Sequence, residues 1–200
     1  MNEVSNYPVD DDPFSRKFKD ISPAELRQLY RGYLTDLPQR LERLSSVVKQ
    51  SSSRSSVILD FSPSSFGPLG NWLCLHVSLR RRSDSELAKI LTAFHVAVDP
   101  SDHRFVLDQP SFDLAADIGA YFGESFRKFH PKIKWMLSIR SRNNIDYGQP
   151  VLTGFGKAAL NPTAVCVNIA RKMAEDRKLG SLLIEAHYAW SEIFAQFGKV

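Results

Sequence analysis

Two hundred residues make about one domain's worth of chain. With 43% hydrophobic residues, including thirteen Phe, six Tyr and three Trp, they can fill a core, which excludes a disordered, collagen-like or coiled-coil chain. Two cysteines, Cys74 and Cys166, exclude a disulfide framework and a four-cysteine zinc site, no run approaches the roughly 18–20 apolar residues of a membrane span, and a net charge of +4 is within what solubility favours. The start, Met1 to Asp12, is acidic and lacks the apolar stretch of a secretory signal, so the expectation is a soluble, cytoplasmic chain with no membrane association.

Residues 1–20, with Pro8, Asp10-Asp11-Asp12 and Pro13, read as an acidic flexible arm. Residues 21–50 read as a helical extension. Ser22-Pro23-Ala24-Glu25 has the form of a capping box, and Leu26, Leu29, Tyr30 and Tyr33 follow at helical spacing. Pro38 is expected to end or kink this helix near Leu37, with Leu41, Leu44 and Val48 in a second short one. The polar run Lys49 to Ser56 reads as a loop, and residues 57–200 as the globular domain.

Val57-Ile58-Leu59-Asp60-Phe61 predicts a strand, and Ser62-Pro63 a helix start that places Leu69, Trp72, Leu73 and His76 on one face. A helix is predicted from Ser85 to Val98, with Leu87, Ile90, Leu91 and Phe94 inward. The strongest helical pattern runs from Phe112 to Phe129, where Ala115, Ile118, Phe122, Phe126 and Phe129 recur at steps of three and four. Ala116, Gly119 and Gly123 on its adjoining turns imply that another element approaches closely, because an interior Gly costs a helix about 1 kcal/mol against Ala. Trp135–Arg140 and Pro150–Phe155 predict two antiparallel strands around a long polar turn, Ser141 to Gly148. Asn161-Pro162 starts a helix to about Lys178. After Gly180 a last helix, Leu182 to Phe197, is expected to bury Leu183, Tyr188, Ile193, Phe194 and Phe197. The fold class is therefore α+β: a helix-rich single domain with a small antiparallel sheet, including a hairpin near 134–156.

No catalytic, cofactor or metal motif stands out. The five histidines lack zinc-protease spacing, and Gly154-Phe-Gly156-Lys157 lacks the spacing and hydroxyl of a phosphate loop, reading instead as a hairpin end. Asp117 and Glu124 are the acids to watch for a catalytic role. Residues 124–142 hold six bases, Arg127, Lys128, Lys132, Lys134, Arg140 and Arg142, against one acid, and interleave them with Phe126, Phe129 and Trp135. That mixture suits nucleic acid, with Arg80-Arg81-Arg82 as a second basic element, and equally suits the solvated edge of a core helix. The turn after Trp135–Arg140 is longer than a hairpin needs. Arg140, Arg142, Asn143, Asn144, Asp146 and Tyr147 are its candidate partner-binding residues, with a plain solvated turn as the alternative.

Leu59-Asp-Phe-Ser-Pro-Ser-Ser-Phe-Gly-Pro-Leu resembles the LDYSPESLxxL opening of small bacterial domains of unknown function. Asp117-Ile-Gly-Ala-Tyr-Phe-Gly-Glu124, followed by Trp135, Pro150-Val-Leu and Asn161-Pro162, is similar to their LGAYLGE…W…PV…P progression, and Ser181-Leu-Leu with Tyr188-Ala-Trp190 to their close. Some of these domains are proposed as immunity proteins that neutralise a cognate toxin. The resemblance, over about residues 57–197, implies a non-enzymatic protein-binding domain, with structural roles for Gly119, Tyr121 and Gly123. A nucleic-acid binder using 124–142, or an enzyme without a recognisable motif, is the alternative.

Overall fold

The computed structural model describes residues 17–51, 57–93 and 103–198. Most of the expected acidic arm, the serine run after residue 51 and the end of the helix predicted to reach Val98 lie outside those residues. A short turn of helix, α1 (Lys17–Asp20), leads into α2 (Pro23–Ser51). The box at the start of α2 closes in both directions: Ser22 N–H donates to Glu25 Oε2 at 3.1 Å, and Glu25 N–H to Ser22 Oγ at 3.3 Å. Pro38 neither ends nor divides this helix, which corrects the expectation of two short ones. The inward stripe explains its continuation. Leu26, Tyr33, Leu37, Arg40, Leu44 and Val48 are buried on both sides of the proline, so tertiary packing outweighs one lost hydrogen bond.

Residues 57–61 form no strand, a second correction. They run irregularly into a bend at Asp60 and a left-handed Phe61 (φ 68°), followed by a 3-10 turn at Pro63–Ser65 and α3 (Phe66–His76). An apolar run makes a strand only where a neighbour accepts its ladder, and here Phe61 N–H is taken by Tyr121 Oη. Two three-residue strands escaped the sequence reading. β1 (Leu79–Arg81) and β2 (Phe105–Leu107) pair antiparallel, Leu79 with Leu107 and Arg81 with Phe105, flanking α4 (Asp84–Ala93).

The long helix α5 (Gln109–Phe129) runs through the middle of the molecule. Asp108 caps it, accepting from Ser111 N–H at 2.9 Å, and Ala115, Ile118, Phe122 and Phe126 are buried as the stripe predicts. Phe129 is not; the helix outruns its neighbours and leaves it 54% exposed. The expected hairpin is present. β3 (Lys134–Leu137) pairs antiparallel with β4 (Pro150–Phe155), and β4 continues through a tight turn at Gly156-Lys157 into β5 (Ala158–Leu160). Two helices close the chain, α6 (Pro162–Glu175) and α7 (Leu182–Phe197). On α7 Leu183 is buried and Ile193 and Phe194 are partly so, whereas Tyr188 and Phe197 face solvent, contrary to expectation.

The small residues of α5 do what their spacing implies. A β-carbon on Gly119 would lie 2.8 Å from Thr163 Cα, and one on Gly123 would lie 2.5 Å from the Trp135 ring. These two turns are where α6 and β3 reach the backbone of α5. The core has two parts. The larger gathers Leu44, Val48, α3, the inner face of α5, the three-stranded sheet, α6 and Leu183. The smaller gathers Phe18, Leu26, Tyr33, Leu37, Ala120, Leu137 and Tyr147, and Trp135 packs against both.

Candidate functional site

The twelve residues between β3 and β4 are not a slack turn. Gly148 N–H donates to Ser138 O at 2.6 Å and Ser138 N–H to Gln149 O at 3.0 Å, so the ladder continues past the strands. Above it Asn144 N–H donates to Ser141 O (3.0 Å), Tyr147 N–H to Asn144 O (3.1 Å) and Gln149 N–H to Asp146 O (3.0 Å). Side chains reinforce these turns. Ser141 Oγ accepts from Asn143 N–H, and Asn144 Oδ1 from Asp146 N–H.

The loop is fastened from beneath by two of its own predicted contact residues. Tyr147, one of the candidate partner-binding residues, is 5% exposed and sits in the smaller core, so as a correction it is no part of the loop's exposed face. Asp146 Oδ1 accepts from Asn161 Nδ2 at 2.9 Å, while the same nitrogen donates to Gln149 Oε1 at 2.8 Å. Asn161 also caps α6 through Oδ1, so the loop and the helix start share one buried side chain. Gly148 adopts φ 81°, and Phe18 lies where its β-carbon would be. Arg140, Arg142, Asn143 and Asn144 remain exposed, together with Ile145 at 58%. Ile145 was not among the residues singled out, because nothing in its sequence position says which way a loop side chain faces.

Asp117 is held from both sides. Arg43 reaches it with Nε to Oδ2 at 2.6 Å and Nη2 to Oδ1 at 2.5 Å, and Arg40 Nη1 to Oδ1 at 3.2 Å. Burial pushes the Asp117 carboxyl above its ordinary range, against the pull of Arg43 and Arg40. With both oxygens engaged, its role is to tie α2 to α5 at the junction of the two core clusters. Arg40 Nε, and elsewhere on α2 Asp36 Oδ2, are buried without a hydrogen-bond partner among the described residues. Glu124, the other watched acid, accepts from Trp135 Nε1 at 2.6 Å and from Arg127 at 2.7 Å, which fixes the ring that packs on Gly123. The basic stretch thus separates into parts. Phe126 is core, Trp135 is half-buried and pinned, Arg127 is paired, and Lys128 lies 4.7 Å from the Phe61 ring.

Tyr121 clamps the segment around Phe61. Its hydroxyl accepts from Phe61 N–H at 2.7 Å, lies 2.8 Å from Ser65 Oγ, and its ring stacks on Phe61. The segments around Phe61 and Tyr121 therefore touch one another, with the Tyr121 side chain as the anchor between them. The chain stands beside three sets of known proteins: family models, curated proteins and solved structures. None matches it.

One pairing had no sequence signal. His187 on α7 and Ser125 on α5, 62 residues apart, approach to 3.3 Å between Nε2 and Oγ. This is the distance of a nucleophile and its base. However, Ser125 is 1% exposed and donates its hydroxyl to Phe122 O at 2.7 Å, so its proton points away from the imidazole. His187 is stacked between Phe66 and Phe126, and that burial, with His130 nearby, pushes its imidazole down to about 4. It is a neutral core histidine above that range. Among the described residues no helix is long and apolar enough to cross a membrane, and no three His, Cys, Asp or Glu side chains gather as a metal cluster would.

Proposed function

We propose that this chain is a non-enzymatic protein-binding domain, of the kind the immunity-protein resemblance implies, and that it engages its partner through the loop after β3. The supporting observation is the construction of that loop. Its base is locked by Tyr147 and the Asn161 bridge, while Arg140, Arg142, Asn143, Asn144 and Ile145 face solvent on an ordered frame. Order before contact lowers the entropic cost of binding, and arginines beside an exposed aliphatic residue form a contact surface suited to an acidic protein face.

The test uses the full chain as bait in native lysate beside an Arg140→Ala/Arg142→Ala/Ile145→Ser variant. The partner captured by the parent is identified and then titrated in purified form against both. The triple variant should fold with an unchanged denaturation midpoint and lose at least tenfold in affinity. Equal affinity in a folded variant removes the loop from the interface.

A further inference from the structure

The three-stranded sheet has two ends, and the loop occupies one of them. At the other, β3 starts at Lys134 and β4 runs out at Phe155. The C-terminal ends of α5 and α7 meet there. The His130 ring lies 4.1 Å from the Phe194 ring. A β-carbon on Gly156 would lie 2.8 Å from Phe197 Cβ, and one on Gly154 would lie 3.1 Å from Lys132 O. Two helix ends and two chain reversals, Pro131-Lys132 and Gly156-Lys157, thus form one pole of the molecule.

This pole exposes aromatic rings among cations. Phe129 is 54% and Phe197 53% exposed, and Lys128, Lys132 and Lys157 are exposed around them. Lys132 and Lys157 form no ion pair among the described residues. Lys128 rests 4.7 Å from the centre of the Phe61 ring, where its charge also acts on Asp60. Arg127 is taken by Glu124, and Glu192 lies more than a turn back along α7 from Phe197.

Two features favour lipid over protein as the occupant. The free cations are lysines, point charges on flexible stems, which suit a diffuse layer of anions better than the fixed fork of a guanidinium does. The rings project from helix ends beside tight turns, a contour that a fluid surface accommodates without matching its shape. Resting against a bilayer takes no spanning helix, so the lack of one among the described residues does not bear on it.

We propose that this pole rests on an anionic lipid surface. Phe129 and Phe197 enter the layer between headgroups and acyl chains, and Lys128, Lys132 and Lys157 meet the lipid anions. Each lysine brought to such a surface strengthens binding roughly fivefold, and burying the exposed half of a ring adds a factor of similar size. The exposed arginines of the loop, at the opposite end of the sheet, then point away from the bilayer. The contact does not rest on the role proposed for that loop.

The full chain is sedimented with vesicles of phosphatidylcholine alone or with about 30% phosphatidylserine, at about 0.1 M salt. Binding to the anionic vesicles should be at least about tenfold stronger, and should fall about tenfold or more in Lys132→Glu/Lys157→Glu and in Phe129→Ser/Phe197→Ser. Arg140→Ala/Arg142→Ala/Ile145→Ser should bind vesicles as the parent does, which separates a failure here from a failure of the loop. Because Phe197 also packs on Gly156, a second readout keeps both rings. An environment-sensitive dye is attached to Pro131→Cys or to Asn143→Cys, since Cys74 and Cys166 are buried and do not compete for it. Anionic vesicles should shift the emission of the dye at 131 to the blue and leave that at 143 unchanged. No preference for anionic vesicles, binding undiminished by either pair of substitutions, or a shift at 143 overturns the proposal. So does full displacement from the vesicles by polyglutamate at equal charge, which would assign the pole to an acidic protein.

Discussion

Replacing Asp117 with valine removes the carboxylate that serves Arg40 and Arg43 among the described residues. The two arginines differ in their escape routes. The Arg43 side chain is 37% exposed and can turn its guanidinium to water, whereas the Arg40 side chain is 7% exposed and enclosed between the two core clusters. Asp117→Val should therefore cost about 3–5 kcal/mol, the usual penalty of stranding one buried charge, most of it borne by Arg40. With a urea dependence of about 2 kcal/mol per molar, the denaturation midpoint should fall by roughly 1.5–2.5 M. The double variant Arg40→Met/Asp117→Val removes the stranded charge and substitutes apolar volume. It should recover to within about 1 kcal/mol of the parent, since well-packed apolar replacements of buried ion pairs are often neutral or better. Arg43→Ala alone should cost only about 1 kcal/mol. A single variant that loses less than about 1 kcal/mol, or a double variant no more stable than Asp117→Val, would refute the assignment of Arg40 as the trapped charge.

Gly123→Leu should destabilise by roughly 1–3 kcal/mol in chemical denaturation, because its side chain would enter the space of the Trp135 ring; an unchanged midpoint would mean that the helix face is open there. For His187 the unfolded chain takes up a proton near 6.5 and the folded one only near 4. Its contribution is complete above 6.5 and is lost as pH falls through that interval, up to about 3 kcal/mol. The loss of stability between pH 7 and pH 4 should be smaller in His187→Phe by up to about that amount, and an equal pH dependence in both proteins would contradict this. Tyr147→Ala should cost about 3–5 kcal/mol while Arg142→Ala stays within about 0.5, a contrast that thermal melts can read directly. A mixed DNA or RNA probe should show only weak association that vanishes near physiological salt, and sub-micromolar retention there would favour the nucleic-acid alternative.

What could be read from the sequence was local. The starts of α2, α5 and α6 depend on capping side chains within three residues of the atoms they satisfy, and the α5 stripe needs only its own period. The strands β1 and β2 are three residues long and about 26 residues apart, too short for alternation to register. The run at 57–61 misled because strand propensity says nothing about whether a neighbouring edge exists, and here Tyr121, 60 residues away, holds the backbone instead. At the loop, residue type identified the exposed arginines, but Tyr147 was misplaced because a tyrosine suits a core and a contact surface equally well. Asp117 was noted without its arginines. A signal was present: Arg40 occupies a core position in the stripe Tyr33, Leu37, Arg40, Leu44, and a charge at such a position calls for a buried partner elsewhere.

The separation of that ion cluster along the chain has a consequence for synthesis. Arg40 is made 77 residues before Asp117, so at about 5–20 residues per second α2 waits roughly 4–15 s for its carboxylate. During that interval its apolar stripe has no α5 to cover it. One guanidinium within the stripe, Arg40, and one at its margin, Arg43, keep the nascent helix hydrated and repel a second copy of itself. The same charges that burden the finished interior act as gatekeepers on the growing chain, and they are neutralised only once Asp117 has been made.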